Sequence, residues 1–485
     1  MGEILFSMEP EVVDRVETKF RRIVTPIPVP ESLPTIEKLQ RYEPLSMGGQ
    51  PLVVWDRAEG INVYDPYGNK WLDMSSGVLV ANVGHGRQEV QDAMMELIRR
   101  PLLHNYLFPC EVRAELVKKL AEISPPGLDK VFLLATGGEA VECALKLART
   151  HGLRKGGRKK NVIISFENAF HGRTLAAQLV GGIPELKDWI VNPDPDIHQV
   201  PFPGDFRLKD KSFSLFERTL KEKGVNPDDV AGVISETYQG SGAWFLPDEY
   251  AHKLRKWCDA HGALLIFDEV QSSFGRTGKL FAFEHYGIDP DIIACGKGIS
   301  SCLPLSAVIA SPEIMDMYEP GSMTSTHTGN PVCCAAALAS ISLLLDGGVL
   351  ENAASIGKLL GDALEKLQDD YPDIIGALHG RGMVYGLHIV KKGSIEPDGE
   401  MAHRITDRAV KKGLMFFAPV GSGGATIKIC PPLIIDEEAV EDGITALREA
   451  FEFEADAKLV RFAHPAKAGL EYWNDGIMGP GKLKE

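Results

Sequence analysis

The sequence predicts an α/β protein in which helices cover both faces of a mainly parallel sheet, followed by a smaller α+β domain. From about residue 76, short apolar segments alternate with amphipathic helical segments, a pattern typical of a parallel sheet. After about residue 340, helical runs flank short strands instead. Four prolines within residues 25–35 predict an extended N-terminal arm, because proline fixes φ and removes a backbone donor.

The clearest strands of the large sheet are predicted at 131–134, 162–165, 230–235, 264–267 and 292–295. Earlier strands are expected at 52–55 and 60–72, the second interrupted by a turn at 65–69. Helices at 353–367 and 402–412 and strands at 383–389 and 426–429 are expected in the small domain.

These patterns divide the chain into four parts. They are an N-terminal arm with a small-domain segment (1–75), a large domain (76–338), a small domain (339–450) and a C-terminal extension (451–485).

Composition excludes several classes of protein. A net charge of -15 argues against nucleic acid as a partner, since that binding needs clustered cations. No apolar run approaches the ~18 residues of a membrane span, so no membrane partner is expected. The eight cysteines are scattered without a C-x-x-C pair, which favours reduced thiols in the cytoplasm and no metal site.

Two charged residues follow apolar strands, where ligands of such sheets bind. Asp268 follows strand 264–267 and could face a ligand, or it could cap the next turn. Lys297 follows strand 292–295 between two glycines. A desolvated lysine loses its proton and becomes the nucleophile that imine chemistry needs; the alternative is a solvated surface lysine.

Two further strand ends carry binding chemistry. Gly137 and Gly138 open a helix after strand 131–134, where free amides and the helix dipole can hold a phosphate; a simple tight turn is the alternative. Phe170, His171 and Arg173 follow strand 162–165. Phe170 could stack on a ring and Arg173 could bind a carboxylate, or both could serve only packing and a surface ion pair.

Taken together, these stretches resemble the class III pyridoxal-phosphate aminotransferases, also called omega-aminotransferases, over about residues 45–450. The most specific part is DEVQSSFGRTG at 268–278, followed by PDII at 290–293, GKG at 296–298 and PLSA at 304–307. The resemblance implies the fold type I architecture with a seven-stranded large-domain sheet. It also implies pyridoxal 5'-phosphate (PLP) as cofactor and a homodimer, or a tetramer, with shared active sites.

The resemblance also implies roles for individual residues. Lys297 would hold PLP in a Schiff base and move the proton at the substrate carbon, and Asp268 would pair with the pyridinium nitrogen. Further cofactor contacts would come from Gly137 and Gly138 (phosphate), Val270 and Phe170 (ring faces), Gln271 (phenolic oxygen), His171, Glu236, and Thr326 of the other subunit.

Departures from the family pattern bear on substrate choice. Gly138 stands where a serine is usual, and Thr237 replaces a proline without a physical explanation. Lys428 stands where many relatives grip an α-carboxylate with arginine, and Ser241 stands where they place its glutamate partner. Lysine cannot reproduce the planar guanidinium fork, so Lys428 either attracts a carboxylate as a point charge or is solvated.

Arg173 is retained where relatives acting on 4-aminobutyrate or ornithine hold a substrate carboxylate. That implies a donor with well-separated amine and carboxylate, or an amine donor paired with a keto acid. Trp55, Val78, Leu79 and Tyr238 are expected around the substrate entrance, with positions in the core as the alternative.

The function implied is amino transfer from an omega-amino acid or amine to pyruvate or 2-oxoglutarate by a ping-pong mechanism. An aminomutase, an amino-acid epimerase and a dialkylglycine-type decarboxylase are alternatives on the same fold. A catalytically silent relative would be expected to have lost Lys297 or Asp268, and both are present. A nicotinamide oxidoreductase is disfavoured because no G-x-G-x-x-G follows the early strands.

Overall fold

The computed structural model describes residues 6–463 of the chain. The strands are β1 (Val16–Glu17), β2 (Arg22–Ile23), β3 (Arg57–Glu59), β4 (Asn62–Tyr64), β5 (Lys70–Asp73), β6 (Lys130–Leu134), β7 (Val162–Phe166), β8 (Ile197–Val200), β9 (Val230–Glu236), β10 (Tyr238–Gln239), β11 (Trp244–Phe245), β12 (Leu264–Glu269), β13 (Ile292–Cys295), β14 (Ser306–Ala310), β15 (Ile375–Arg381), β16 (Val384–Ile389), β17 (Leu414–Met415) and β18 (Thr426–Ile429).

The helices are α1 (Leu33–Tyr42), α2 (Ser76–Leu79), α3 (Gln88–Arg99), α4 (Glu111–Glu122), α5 (Gly137–Gly156), α6 (Leu175–Val180), α7 (Phe213–Glu222), α8 (Asp248–His261), α9 (Pro312–Met315), α10 (Pro331–Leu345), α11 (Val349–Asp370), α12 (Gly399–Lys411) and α13 (Glu437–Ala463).

The large domain is organised around a seven-stranded sheet in the order β6-β14-β13-β12-β9-β7-β8. Only β14 runs antiparallel to its neighbours, so the prediction of a mainly parallel sheet is confirmed. Asp268 of β12 pairs in register with Glu236 of β9 and with Ala294 of β13. The carboxyl ends of these three strands therefore lie at one level, where their side chains can meet.

Apolar side chains alternate between the two faces of this sheet because successive strand residues point in opposite directions. On one face, Ile234 and Ile266 pack with the small, buried Ala144 and Ala148 of α5. On the other face, Val233 and Leu265 belong to a core that includes residues of α7 and α8. Burial on both faces explains why these strands are mainly apolar up to their carboxyl ends.

The small domain contains an antiparallel sheet of β15, β16 and β18 with α11, α12 and α13. The helices predicted at 353–367 and 402–412 and the strands predicted at 383–389 and 426–429 are confirmed. β17 pairs parallel with β5 near the N-terminus. This pairing supports the assignment of the N-terminal segment to the small domain.

Two local predictions are wrong. Residues 52–55 form no strand; they follow Pro51, which cannot donate to a sheet. Residues 30–35 are not extended but form a 3₁₀ turn and the start of α1. Pro30 and Pro34 both lie in first turns, where the missing N–H would have no intrahelical partner and proline is tolerated.

The four-part division of the chain remains a prediction. α10 continues unbroken through residue 338, where the division places a boundary. Most of the predicted C-terminal extension, residues 464–485, lies outside the described part of the chain. Within residues 6–463, no single helix is long and apolar enough to cross a membrane; α10 and α11 pass that test only as a pair bent by 60°.

Candidate active site

A pocket of about 410 Å³ opens at the carboxyl ends of the central strands, within the size range of small-molecule sites. It brings together most of the cofactor-binding residues predicted from the sequence. Those lining it are Gly137, Gly138, Phe170, His171, Glu236, Asp268, Val270, Gln271 and Lys297.

Asp268 and His171 form a buried pair in this pocket. His171 Nδ1 lies 2.7 Å from Asp268 Oδ2, and the Val270 amide donates to Asp268 Oδ1 over 3.0 Å. Burial disfavours the imidazolium, but the hydrogen bond to Asp268 and the charges of Asp268 and Glu236 outweigh it and raise the pKa of His171. Asp268 is thus held as an oriented acceptor with an imidazole donor behind it.

Lys297 follows β13 with a left-handed backbone, φ +42°. Such a conformation is strained for lysine, and strain of this kind is concentrated at functional sites. A Cβ at Gly298 would lie 2.2 Å from Asn82 Nδ2, so the glycine permits this close turn. Burial lowers the pKa of Lys297, although Asp268 and Glu236 oppose that shift. A larger neutral fraction of the amine favours nucleophilic attack on a carbonyl.

Glu236 ends β9 and is buried beside Asp268. Its carboxylate accepts the amides of Phe170 at 3.0 Å and Gly240 at 2.8 Å. Burial, reinforced by the charge of Asp268, raises the pKa of Glu236 to about 7. The side chain therefore ties the backbone at Phe170 to that at Gly240, in surroundings that disfavour its negative charge.

The start of α5 forms an open cradle of backbone donors. Thr136 and Glu139 form a capping box: Glu139 accepts the amide of Thr136 at 2.9 Å, and Thr136 accepts that of Glu139 at 3.3 Å. The amides of Gly137 and Gly138 precede the first helical hydrogen bonds, and both residues line the pocket. A Cβ at Gly137 would lie 2.5 Å from Val270 Cγ1, so glycine is required for this close approach.

Lys428 is not solvated, contrary to one of the two alternatives drawn from the sequence. It is 3 % exposed, because β18 is covered where it meets the large domain. Its Nζ donates to the Gly240 carbonyl at 2.8 Å and to Gln271 Oε1 at 2.5 Å. Lys428 lies behind the pocket wall, in contact with Gln271, and does not line the pocket itself.

Four other predicted residues lie outside the pocket of the single chain. Arg173 is exposed and forms no ion pair with the described side chains, those of residues 6–455, and its guanidinium carbon lies 5.7 Å from the centre of the Phe170 ring. Thr326 is exposed. Val78 and Trp55 are 47 % and 42 % exposed, and Trp55 packs edge-on against His85.

Sequence reasoning missed several contributors to the site. Leu303 and Cys302 form part of the pocket wall just after the lysine segment, and nothing in their types distinguishes them. The T-x-x-E spacing of Thr136 and Glu139 is the pattern of a capping box at a helix N-terminus and could have been recognised in the sequence. Arg276, within the recognised motif, is fully buried and donates to Asn82 Oδ1 at 2.7 Å.

The pocket has the chemistry to hold PLP. Lys297 provides an amine for the aldehyde, the Asp268 carboxylate provides an acceptor for a ring N–H, and the amides of Gly137 and Gly138 provide donors for the phosphate. His171 Nε2 is buried without a partner among the described residues, so a polar atom of a pocket-lining residue is left without a hydrogen bond from the protein. The residues present therefore fit this cofactor.

Comparisons with known proteins agree with this fit. The sequence model of the family described as "Aminotransferase class-III" matches residues 46–451. A 4-aminobutyrate aminotransferase of Mycobacterium leprae is 34 % identical over 88 % of this chain and 97 % of its own length. An acetylornithine aminotransferase of Methanopyrus kandleri is 35 % identical over 81 % and 92 %.

The fold is likewise similar to solved structures. One is a thermostable (S)-enantioselective omega-transaminase from Thermomicrobium roseum, with a TM-score of 0.77 and 28 % identity. The similarity covers 86 % of this chain and 95 % of that one.

Proposed function

Because the chain belongs to the class III aminotransferases, we propose that it transfers the amino group of an omega-amino acid or an amine to pyruvate or 2-oxoglutarate. The family, the fold type I architecture, the aminotransferase activity and the use of PLP, all expected from the sequence, are confirmed. The observation that best supports the proposal is the convergence of Lys297, Asp268 and the Gly137 amide, from three strand ends, on one pocket.

PLP, when bound, supplies an electron sink for the bond broken at the amine-bearing carbon. Lys297 would hold the cofactor through its amine, and the same amine is placed to take and return the proton of the amine-bearing carbon. Asp268, oriented by His171, accepts the hydrogen bond of the cofactor's ring N–H. Val270 and Phe170, which line the pocket, would contact the faces of the ring.

Arg173 supports an omega-amino donor. It is exposed near the pocket and has no carboxylate partner among the side chains of residues 6–455, so its fork is available for the distant carboxylate of a substrate. Lysine cannot substitute for such a fork. The proposal therefore assigns carboxylate binding to Arg173.

A screen of donor–acceptor pairs tests this proposal. The purified holoenzyme would be incubated with 4-aminobutyrate, β-alanine, ornithine, taurine, 1-phenylethylamine or α-alanine, each with pyruvate and with 2-oxoglutarate, and the amino product would be quantified. We expect turnover of at least one omega-amino donor, lost in Lys297→Ala. Turnover of α-alanine alone, or carbon dioxide release without an amino product, would contradict the proposal.

The proposed assembly is a homodimer with shared sites, and one surface loop supports it. Leu103 and Phe108 are 54 % and 72 % exposed, yet their loop is ordered: Arg113 donates to the carbonyls of Tyr106, Leu107 and Phe108 at 2.7–3.0 Å. Burial of such an apolar surface is favourable. His104 of this loop lies 5.4 Å, between ring centres, from His327, next to Thr326. The same interface could therefore carry Thr326 into a neighbouring pocket.

Light scattering coupled to size-exclusion chromatography tests the assembly. Phe108→Asp should shift the protein from dimer towards monomer and weaken PLP retention. The control is Ile395→Asp, an equally apolar change at an exposed site on another segment. A Phe108→Asp variant that remained dimeric would contradict this interface.

A cytoplasmic location is also proposed. All eight cysteines are unpaired, and five of them are buried, as suits a reducing compartment. Cell fractionation with antibody detection tests this; recovery of the protein in an exported fraction would contradict it.

A further inference from the structure

The side chain of Lys428 links two parts of the protein behind the pocket wall. It extends from β18 of the small sheet to the Gly240 carbonyl and to the Gln271 amide, which follows β12 of the large sheet. The Tyr238 ring lies next to it, with Nζ 5.5 Å from the ring centre. No carboxylate forms an ion pair with Lys428 among residues 6–455, whose side chains the structure describes.

The chemistry of lysine determines the orientation of the Gln271 amide. An ammonium group has three donors and no acceptor, so the Gln271 atom 2.5 Å from Nζ must be the oxygen. The opposite amide orientation would place two donors against each other. The Gln271 NH₂ group is consequently directed away from Lys428, and Gln271 lines the pocket.

We propose that Lys428 is a positioning residue that fixes the Gln271 amide with its NH₂ group available to the pocket, rather than a ligand for a substrate carboxylate. The inference rests on the proposed function in so far as Gln271 contacts the bound cofactor there. It withdraws from Lys428 the carboxylate-binding role that was one of the two alternatives drawn from the sequence, and leaves that role to Arg173.

The surroundings of Lys428 oppose direct carboxylate binding. Turning the ammonium towards a substrate would leave the Gly240 carbonyl and Gln271 Oε1 without their donor, and buried acceptors without partners are costly. Burial lowers the pKa of Lys428 to about 8, with Lys297 adding to the effect while Cys430 and Glu236 oppose it. Ser241 replaces the expected acidic partner, and its hydroxyl donates to the Asn168 carbonyl at 3.4 Å.

A consequence for specificity follows. A donor that carries its carboxylate on the same carbon as the amine finds no guanidinium fork at the Lys428 position. For donors that lack this carboxylate, the missing guanidinium fork makes no difference to binding. The pocket should therefore discriminate little between an amine and the corresponding α-amino acid.

The test is an absorbance titration with pH of the PLP-loaded enzyme without any substrate. The variants are Lys428→Met, Gln271→Met and the double variant. We expect each single change to move the midpoint of the cofactor's absorbance transition by about one pH unit, and the double variant to move it no further, because both remove the same amide contact. Lys428→Arg, which retains a donor, should restore most of the wild-type midpoint.

Two results would overturn the proposal: a wild-type midpoint in Lys428→Met, or a Lys428→Met shift that persists in full in the Gln271→Met background, which would indicate a direct charge effect. A KM increase of about tenfold or more in Lys428→Met, confined to α-carboxylate substrates, would also overturn it. If Lys428→Met fails to fold, Lys428→Gln is compared in both backgrounds. The titration needs no turnover, so failure of the proposed amino transfer is detected separately.

Discussion

His171 Nδ1 lies 2.7 Å from Asp268 Oδ2 with both side chains buried, so a residue after β7 orients the acid at the end of β12. His171→Leu would leave that buried carboxylate without its imidazole partner. A lost hydrogen bond of this kind corresponds to about a 10- to 100-fold decrease in kcat. His171→Asn, which can place a donor near the Nδ1 position, should lose less. Equal kcat values for wild type and His171→Leu would contradict the role.

The two glycines of the α5 cradle should respond differently to alanine. Gly137→Ala places a Cβ 2.5 Å from Val270 Cγ1, whereas a Cβ at Gly138 meets only Thr174, at 3.6 Å or more. We expect Gly137→Ala to displace Val270 and weaken PLP binding at least about tenfold, while Gly138→Ala changes it little. Fluorescence titration of the apoenzyme with PLP measures both; a reversed order would contradict the cradle geometry.

Gly138→Ser should strengthen PLP binding. The site has room for a side chain, and a hydroxyl there would add a hydrogen bond to a charged phosphate. We expect a dissociation constant about tenfold lower than that of wild type. Gly138→Ala is the matched control, since it adds the carbon without the hydroxyl. If serine and alanine gave the same constant, the phosphate would not be at this helix end.

Glu269 should make stability decrease as pH rises. Burial raises the pKa of its carboxyl from 4.5 to about 7, so between these values the folded protein binds more protons than the unfolded chain. Relative to its value at alkaline pH, the free energy of unfolding is higher by up to ~3 kcal/mol below about pH 4.5. This difference is lost as the pH rises through about 7. Between about pH 5 and pH 8, Tm should fall more in wild type than in Glu269→Gln. Parallel Tm profiles would refute this.

Arg276 should be essential for stability. Its guanidinium, fully buried, donates to the carbonyls of Met383 and Pro431 and to the side chains of Ser76 and Asn82. Lysine cannot reach four acceptors in these directions, so Arg276→Lys should cost about 3 kcal/mol or more and lower Tm clearly.

The control for Arg276 is Arg218→Lys, at an exposed ion pair with Asp210, which should change Tm little. A Tm for Arg276→Lys as high as that of the control would show that the four hydrogen bonds contribute no stability.

The strands and the cofactor residues were predictable because their signals are local. Val162–Phe166 is apolar except for Ser165 because the strand is covered on both faces, and Asp268 and Lys297 stand at or just after the ends of strands of the same kind. The strand predicted at 52–55 is wrong because short apolar runs also occur in packed loops. Such a run becomes a strand only where a partner strand lies beside it.

Features that depend on distant contacts were not predictable. Ser76, Gly77, Val78 and Leu79 all have positive φ, between 49° and 65°, a left-handed turn that costs energy for residues with side chains. Ser76 is held there by the distant Cys430 carbonyl and Arg276. Lys428 stands between two isoleucines in β18, a pattern that predicts one buried and one exposed face. The structure shows that the face carrying Lys428 is buried too.

The most direct test of the central claim is the absorbance of PLP-loaded enzyme in two successive additions. With 4-aminobutyrate and no keto acid, we predict that the band near ~420 nm disappears in one equivalent per site, and that 2-oxoglutarate or pyruvate then restores it with release of the amino product. Lys297→Ala should show no such cycle. A band that 4-aminobutyrate and the other omega-amino donors left unchanged, or one that no keto acid restored, would contradict omega-amino transfer through Lys297.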